Sequence, residues 1–138
     1  MGKNIARIMT RLGRKSQSWI GTALEKYNLT AAEQPFFMAL QRREGMTQED
    51  LTAMVGVDKA ATARAVKSLE EKGYLIRKQD ETDRRQNRIY PTERAKNMAP
   101  EVRETLFGFN RRLTAGLDAE CLEQVYEALL RMEENLKG

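Results

Sequence analysis

The sequence has no histidine and only one cysteine, Cys121, among its 138 residues. A single cysteine cannot form a disulfide within the chain, which suits a reducing compartment, and we therefore expect a cytoplasmic protein. Zinc sites and general-base catalysis rely mostly on histidine and on paired cysteines, so their absence argues against a metal site and against most hydrolytic enzymes. We expect neither a cofactor nor a catalytic activity.

Long apolar runs are missing as well. None approaches the roughly 18 residues that a membrane-spanning helix needs. Residues 1–4 lead into an amphipathic stretch and lack the apolar core and cleavage site of a signal peptide. Aromatic residues make up 7% and charged residues 32% of the chain, which is typical of a mostly helical protein with a large surface. The length fits one compact domain with a core of its own.

The charge is unevenly distributed along the chain. Residues 1–91 carry 17 basic and 11 acidic side chains, a net charge of +6, whereas residues 92–138 carry 7 and 9, a net charge of −2. A basic region followed by an acidic one indicates a surface that meets a polyanion such as nucleic acid.

Apolar residues at three- and four-residue spacing predict one long amphipathic helix at the start of the chain. They are Ile5, Ile8, Met9, Leu12, Trp19, Ile20, Leu24 and Tyr27. Thr30 and Glu33 then stand in capping-box spacing, which predicts the start of a second helix. This helix is expected to run to about residue 44 and to bury Phe36, Phe37 and Leu40.

Two short helices are expected next, each with its own capping signal. Thr47 precedes the first, which is expected to end near Val55, and Gly56 permits a tight turn after it. Asp58 precedes the second, which ends at Gly73, a residue suited to a left-handed C-cap. Two capped helices joined by a short glycine-containing turn form the helix-turn-helix pattern.

Residues 74–77 and 87–90 predict two strands that flank a polar, charged segment, and this hairpin is the candidate wing. Two more helices are expected after it. Thr92 caps one of them, which Pro100 is expected to kink or briefly break, and Asp118 caps the other. The predicted fold class is therefore mainly α with a small β-wing: a winged helix-turn-helix with long N- and C-terminal helices.

The fourth helix supplies the first candidate DNA contacts. The residues expected to face DNA are Lys59, Ala60, Ala61, Thr62, Arg64 and Lys67. An arginine can hold O6 and N7 of guanine with two hydrogen bonds, so Arg64 is expected to recognise a base. Lys59 and Thr62 are expected at exposed positions where they contact phosphates and set the register, with a base contact open to both as well. The alanines let the backbone approach closely, while Val66 and Leu69 supply the buried side.

The hairpin tip supplies the second group of candidate DNA contacts. Arg84 and Arg85 stand together where a hairpin projects them outward, and an arginine there can enter the minor groove of A·T-rich DNA. Asp83 is expected to pair with a nearby arginine and to hold its guanidinium in one orientation. A merely solvated hairpin tip fits the same residues, but the position directly after a helix-turn-helix favours DNA contact.

These motifs together resemble the MarR family of bacterial regulators. The resemblance covers residues 29–93 in detail and the flanking helices in pattern. It rests on Gly45-Met-Thr-Gln-Glu-Asp-Leu51, Val57-Asp58-Lys59, Leu69-Glu-Glu-Lys-Gly73, Arg77 and Asp83-Arg84-Arg85. Two positions depart from the family, which usually has Leu where Pro91 stands and Gly where Ala95 stands. Both lie where the wing meets the next helix.

The resemblance implies one MarR-like domain over residues 1–138, with the winged helix-turn-helix at 29–93 and dimerisation helices at 1–28 and 94–138. It implies a homodimer on a pseudo-palindromic operator with half-sites about 34–36 Å apart. It also implies a repressor that a small aromatic acid or phenol releases from DNA. The ligand residues it suggests are Arg14, Trp19 and Met38, although a surface arginine and two core residues fit those positions equally well. Cys121 is expected to be a packing residue.

Two rival function classes stay open. An enzyme is disfavoured because the sequence has no phosphate-binding glycine loop and no nucleophile–base constellation. A winged-helix protein-interaction module without ligand sensing is the alternative, and it predicts a recognition helix and wing without a concentrated basic face. Binding to random DNA at increasing salt separates the two, because phosphate contacts release counterions and weaken steeply with salt.

Overall fold

The computed structural model describes residues 2–137, and in that range the chain forms six α-helices and one two-stranded antiparallel sheet. This order confirms the predicted mainly helical class with a small β-wing. The bounds are α1 Ile5–Ala23, α2 Gln34–Arg42, α3 Gln48–Val55, α4 Lys59–Glu71, β1 Leu75–Gln79, β2 Asn87–Pro91, α5 Glu93–Leu113 and α6 Ala119–Asn135. Among residues 2–137, no helix combines the length and the apolar character needed to cross a membrane.

The chain divides into two compact units, Met1–Leu106 and Phe107–Gly138. The first unit contains α1 to α4, the hairpin and the beginning of α5, and it has an apolar core. The most completely buried side chains of this core include Leu24, Phe37, Met46, Leu51, Val66, Leu69, Leu75, Ile89 and Val102. The second unit contains the end of α5 and α6, and none of its residues 107–137 is buried.

The first helix is shorter than its apolar pattern suggested. Asn4 caps α1 by accepting a hydrogen bond of 3.0 Å from the backbone N–H of Arg7, and the helix ends at Ala23. A 3-10 turn, Glu25–Tyr27, follows, and Asn28 adopts a left-handed conformation with φ of 55°. The prediction of one helix up to Tyr27 is therefore wrong at its end, since the last turn tightens, as helix C-termini often do.

The second helix begins later than its capping signal. Thr30 and Glu33 exchange the predicted reciprocal bonds, 2.9 Å from Thr30 N to the carboxylate and 3.1 Å from Glu33 N to the hydroxyl. Nevertheless α2 starts at Gln34 and ends at Arg42, two residues before the expected end. Pro35 is tolerated because it lies in the first turn, where backbone N–H groups have no helical partner. The predicted burial of Phe36, Phe37 and Leu40 is confirmed.

The helix-turn-helix forms where its capping residues predicted it. Thr47 and Asp50 exchange bonds of 3.1 Å each at the start of α3. Gly56 ends α3 with φ of 80°, a backbone conformation that glycine adopts without steric cost. Asp58 caps α4 by accepting a 2.7 Å bond from the N–H of Ala61, and Gly73 follows the helix with φ of 80°.

The hairpin is anchored to the connection between α2 and α3. Its strands pair antiparallel from Leu75 opposite Pro91 to Gln79 opposite Asn87. Ile89 accepts a 2.8 Å bond from the N–H of Gly45 and donates one of 2.8 Å to the carbonyl of Met46. This extra backbone pairing makes the base of the hairpin part of the core and leaves its tip outside.

The fifth helix continues through its proline. Thr92 caps α5 with a 3.2 Å bond from the N–H of Ala95, and the helix runs without a break past Pro100. The predicted break is wrong. Pro100 and Lys96, whose carbonyl loses its usual helical donor, are both exposed, so water can replace the missing bond. Asp118 caps α6 as predicted, accepting 2.9 Å from the N–H of Cys121.

Candidate nucleic-acid interface

The fourth helix has one buried and one exposed side. The buried side chains are Thr62, Ala65, Val66 and Leu69, at the three- and four-residue spacing of a single helical face. The exposed ones include Lys59, Ala60, Ala63, Arg64 and Lys67, while Ala61 is half-buried. The expectation that Val66 and Leu69 are buried is confirmed.

Thr62 lies on the buried side, so the prediction that it is exposed is wrong. Its side chain is 0% exposed. Its hydroxyl donates 3.1 Å to the carbonyl of Asp58 and accepts 2.8 Å from the hydroxyl of Thr52. A hydroxyl with both bonds satisfied inside the protein can be buried without penalty. Thr62 therefore joins α3 to α4 and does not contact phosphate.

The exposed side of α4 is cationic from Lys59 to Lys67, and its exposed acidic residues, Glu70 and Glu71, lie in the last turn. Lys59, Arg64 and Lys67 are the charged side chains of this first part, and no acidic residue occurs in the sequence between Lys59 and Leu69. Within residues 2–137 none of these three cations takes part in an ion pair. Alanines lie beside them, so a polyanion could approach the helix backbone with little steric obstruction.

The hairpin tip presents a second pair of cations. Arg84 and Arg85 are exposed, with 91% of the Arg85 side chain accessible. One carboxylate oxygen of Asp83 accepts a 3.1 Å bond from the N–H of Arg85 and a 3.3 Å bond from its guanidinium Nε. The predicted pairing of Asp83 with a neighbouring arginine is confirmed. Gln79 donates 2.7 Å to the carbonyl of Arg84 and ties the tip to β1.

Where the strands lead into the hairpin tip lies an ion pair that the sequence did not reveal. Arg88 donates 2.9 Å to Asp80 and 2.8 Å to the carbonyl of Gly45. Thr82 donates both its backbone N–H and its hydroxyl to Asp80, each at 2.9 Å. The Thr82 backbone bond, then its hydroxyl and Arg88, lower the pKa of Asp80 to about 2. The available signal was an acidic and a basic residue on opposite sides of the tip, which is a common pattern in polar hairpins.

Arg77 connects the hairpin to both helices of the helix-turn-helix. Its guanidinium donates 3.0 Å to Gln48 at the start of α3. Its Nε lies 3.4 Å from a carboxylate oxygen of Glu70, close enough for ionic attraction but without a hydrogen bond. The residues around the resulting depression include Thr47, Gln48, Arg77, Gln86 and Asn87. Arg77 belonged to the sequence resemblance, but its position between three elements emerges only in three dimensions.

Comparison with known proteins identifies the family. Residues 27–86 match the family described as MarR. A MarR transcriptional regulator from Methanosarcina mazei Go1 is 33% identical, and the match covers 95% of this chain and 94% of that one with a TM-score of 0.86. The chain belongs to the MarR family.

Two other relatives also match this chain over nearly its whole length. YybA, an HTH-type transcriptional regulator of Bacillus subtilis strain 168, is 25% identical over 134 residues, which are 97% of this chain and 89% of that protein. A MarR-family regulator from Listeria monocytogenes, solved in complex with a 26mer DNA, is 23% identical and has a TM-score of 0.91. The match covers 98% of this chain and 90% of that one. At that identity the likeness concerns the fold.

The three ligand residues suggested for this MarR-family protein line three different depressions. Arg14 is exposed and lies beside Arg7 and Arg11 on α1. Trp19 is half-buried and borders a depression on the next turns of the same helix, whereas Met38 is 6% exposed and borders one between α2 and α3. Each of these three depressions is lined by one of the three side chains.

Neither the cysteine nor the carboxylates form a metal site in the described part of the chain. Residues 2–137 contain no cluster of three or more Cys, Asp or Glu side chains arranged to hold a metal ion. Cys121 is half-buried in the first turn of α6. The candidate interface of this MarR-family protein is formed by the exposed cations of α4 and of the hairpin tip.

Proposed function

We propose that this MarR-family transcriptional regulator binds double-stranded DNA as a homodimer, with α4 in the major groove and the hairpin tip at the neighbouring minor groove. The observation that carries the proposal is the exposed side of α4, whose three cations have no protein partner among residues 2–137. Unpaired cations on an exposed helix face attract phosphates, and this attraction dominates DNA affinity. The DNA bound to the Listeria relative supports the same use of the fold.

The proposed contacts have distinct roles. Arg64 reads a guanine through two hydrogen bonds, while Lys59 and Lys67 bind phosphates and set the register. Ala60 and Ala61 leave room for close approach of the backbone. Arg84 and Arg85 reach the minor groove, and Asp83 fixes the direction of the Arg85 guanidinium.

Apolar side chains at the surface support the homodimer. On α1, Ile5, Ile8, Met9 and Leu12 are 42–50% exposed. In the second unit, exposed apolar side chains include Phe107, Leu117, Val125, Tyr126, Leu129 and Leu130. Patches of this kind are rare on monomers and usually mark an interface. The charges of the helices also complement each other, because α1 has four basic and no acidic residues whereas α6 has five acidic residues and one basic.

Light scattering tests the homodimer directly. We expect a mass of two chains for the parent protein, and of one chain for a variant with Leu129→Asp and Leu130→Asp. The control is Gln124→Asp, which adds one charge at an exposed position of the same helix. A parent protein that stays monomeric at micromolar concentration contradicts the dimer.

Binding to random-sequence DNA over a salt series tests the DNA function. Each phosphate neutralised contributes about −0.9 to the slope of log K against log salt, so we expect a steep decline. A protein-interaction module, the alternative function, predicts negligible binding at every salt concentration. A regulator that binds DNA works where the chromosome is, which agrees with the expected cytoplasmic location.

The repressor role and the aromatic ligand are proposed from the family resemblance. Arg14 is the residue available for a ligand carboxylate, and Trp19 and Met38 are the apolar candidates. Titration of benzoate and phenol into the protein–DNA complex tests the ligand. Release of DNA by either compound, reduced by Arg14→Ala, supports the assignment, and no release at millimolar concentration contradicts it.

A further inference from the structure

A buried ionic cluster lies at the C-terminal end of α4, away from the cations proposed to meet DNA. Glu33 is 3% exposed. One of its carboxylate oxygens accepts 2.6 Å from the ammonium of Lys72 and 2.9 Å from the N–H of Thr30. The other accepts a hydrogen bond from the hydroxyl of Ser68. A carboxylate before α2 is thus bonded to two successive turns at the end of α4.

The same cluster reaches back to the end of α1. Besides its bond to Glu33, Lys72 donates 2.9 Å to the carbonyl of Asn28, the residue with left-handed backbone. Tyr74, two residues further along, donates 2.5 Å from its hydroxyl to the carbonyl of Tyr27. The connection between α1 and α2 is therefore held against the end of α4 at several points.

The start of α5 holds this end of α4 from another direction. The hydroxyl of Thr92 donates 2.8 Å to the carbonyl of Gly73. Arg94 donates 3.0 Å to the carbonyl of Lys72, and its guanidinium lies 5.0 Å from the ring centre of Tyr74. Residues next to α1 and residues of α5 thus meet at one end of the proposed recognition helix.

The chemistry of the cluster favours a single geometry. A buried carboxylate is stable only when each oxygen is paired, so Glu33 cannot slide along α4 without losing its partners. Burial raises the pKa of Glu33, but the bonds from Lys72, Ser68 and Thr30 outweigh it and the pKa is lowered. An apolar contact of the same size would hold these elements together while tolerating small shifts, because apolar attraction has no direction.

We propose that Glu33 and Lys72 are positioning residues that set the angle at which α4 is presented to DNA. The inference rests on the proposed function and deepens it. In a homodimer, the angle of each α4 sets the separation of the two recognition helices, and that separation must match the spacing of the half-sites. If the cluster sets the angle, its loss makes the protein less selective for the native half-site spacing. If the cluster only stabilises the fold, its loss leaves that selectivity unchanged.

The experiment uses an operator selected from genomic fragments and versions of it with one base pair inserted or deleted between the half-sites. The affinity ratio of native to altered spacing is measured for the parent protein and for Glu33→Gln, Lys72→Met and the milder Ser68→Ala. Matched controls are Glu44→Gln and Lys96→Met, which remove the same charges from an exposed pair whose atoms are 3.5 Å apart. Circular dichroism selects the variants that are folded at the assay temperature.

We expect the affinity ratio to fall about tenfold in Glu33→Gln and Lys72→Met, the size that losing a charge-assisted hydrogen bond supports. Ser68→Ala should lower it less, Lys72→Arg should restore most of it, and both controls should keep it. Folded variants that bind more weakly but keep the parent ratio overturn the inference. If the two charge variants do not fold, Ser68→Ala decides, and an unchanged ratio in it overturns the inference. A parent protein that binds no DNA contradicts the proposed function itself.

Discussion

The two ends of α4 carry cations in opposite circumstances. From Lys59 to Lys67 the basic side chains are exposed, and none has an acidic partner among residues 2–137. At the other end, Lys72 has 21% of its side chain exposed and is paired with a carboxylate that is itself buried. The charge of a paired cation is largely neutralised by its partner within the protein, whereas an unpaired cation can attract a polyanion. The C-terminal end of α4 is thus held in the protein by paired charges, whereas the part from Lys59 to Lys67 presents unpaired cations to solvent.

The hairpin repeats this division over a shorter distance. Where its strands lead into the tip, Arg88 is bonded to Asp80 and to the carbonyl of Gly45. At its tip, Arg84 and Arg85 are exposed, and the only ion pair of Arg85 within residues 2–137 is the one with Asp83. In both places rigid pairing near the core supports exposed cations further out. The same residue type therefore serves two roles, and the environment decides which.

The largest expected effect is on stability and concerns the buried side of α4. Leu69→Ala removes a side chain that is 1% exposed, and we expect the free energy of unfolding to fall by about 2–5 kcal/mol. Lys67→Ala, on the exposed side of the same helix, should change it by less than about 0.5 kcal/mol. Urea unfolding followed by circular dichroism measures both. Equal losses in the two variants would break the contrast between the two sides.

Next in size is the effect of Arg64 on DNA discrimination. Arg64→Ala should lower the preference for the native base over its substitutes by about 1–3 kcal/mol, since a bidentate contact to guanine is lost. Its unfolding free energy should stay close to that of the parent protein. Fluorescence anisotropy on a set of single-base operator variants provides the measurement. The same loss of affinity on every sequence would show that Arg64 binds phosphate and does not recognise a base.

A smaller effect is expected at the wing. Replacing both Arg84 and Arg85 by alanine should reduce the salt slope of DNA binding by up to about 2, since each lost phosphate contact contributes about 0.9. The affinity loss should be greatest for operators with A·T-rich flanks, whose minor groove attracts arginine most strongly. Glu81→Gln, an exposed substitution beside the tip, serves as the control. If the double variant binds DNA with unchanged affinity, the wing is not part of the interface.

The buried carboxylates make a prediction confined to acid pH. A carboxyl whose pKa is lower in the folded chain stabilises the fold above its unfolded pKa of about 4, and this contribution is lost as the pH falls. The pKa of Glu33 is lowered and that of Asp80 is about 2. The free energy of unfolding should therefore decrease between about pH 4 and pH 2.

Substitution shows which carboxyls cause the loss of stability at acid pH. Glu33→Gln and Asp80→Asn should each make the acid dependence shallower, while Glu101→Gln, at an exposed position of α5, should leave it unchanged. Urea unfolding at a series of acid pH values supplies the comparison. An acid dependence that neither of the first two variants alters would mean that other groups control it.

Local signals made much of the fold predictable. Thr47 and Asp50 form the expected capping box, and Asp58 caps α4 as its position before the helix indicated. These contacts join residues three apart, so the sequence spacing alone specifies them. The end of α1 was predicted wrongly because the apolar pattern continues into the 3-10 turn, and a pattern of spacing does not distinguish the last α-helical turn from a tighter one.

The candidate site was less predictable where it depends on distant residues. Thr62 has a polar side chain, and its burial follows from the hydroxyl of Thr52 on the preceding helix. Glu33 was identified only as a capping residue, because its partners Ser68 and Lys72 are 35 and 39 positions away. The suggested ligand residues Arg14 and Met38 lie at separate depressions, which alignment to a family cannot reveal.

By itself the sequence determined the order of the helices, the caps that start them, the family and the positions of the cations. These properties follow from spacing of a few residues and from composition, which a linear chain already contains. Only the tertiary structure decided which cations are neutralised and which remain available. Pairing depends on the distance between side chains, and residues 33 and 72 come within hydrogen-bonding distance only after the chain has folded.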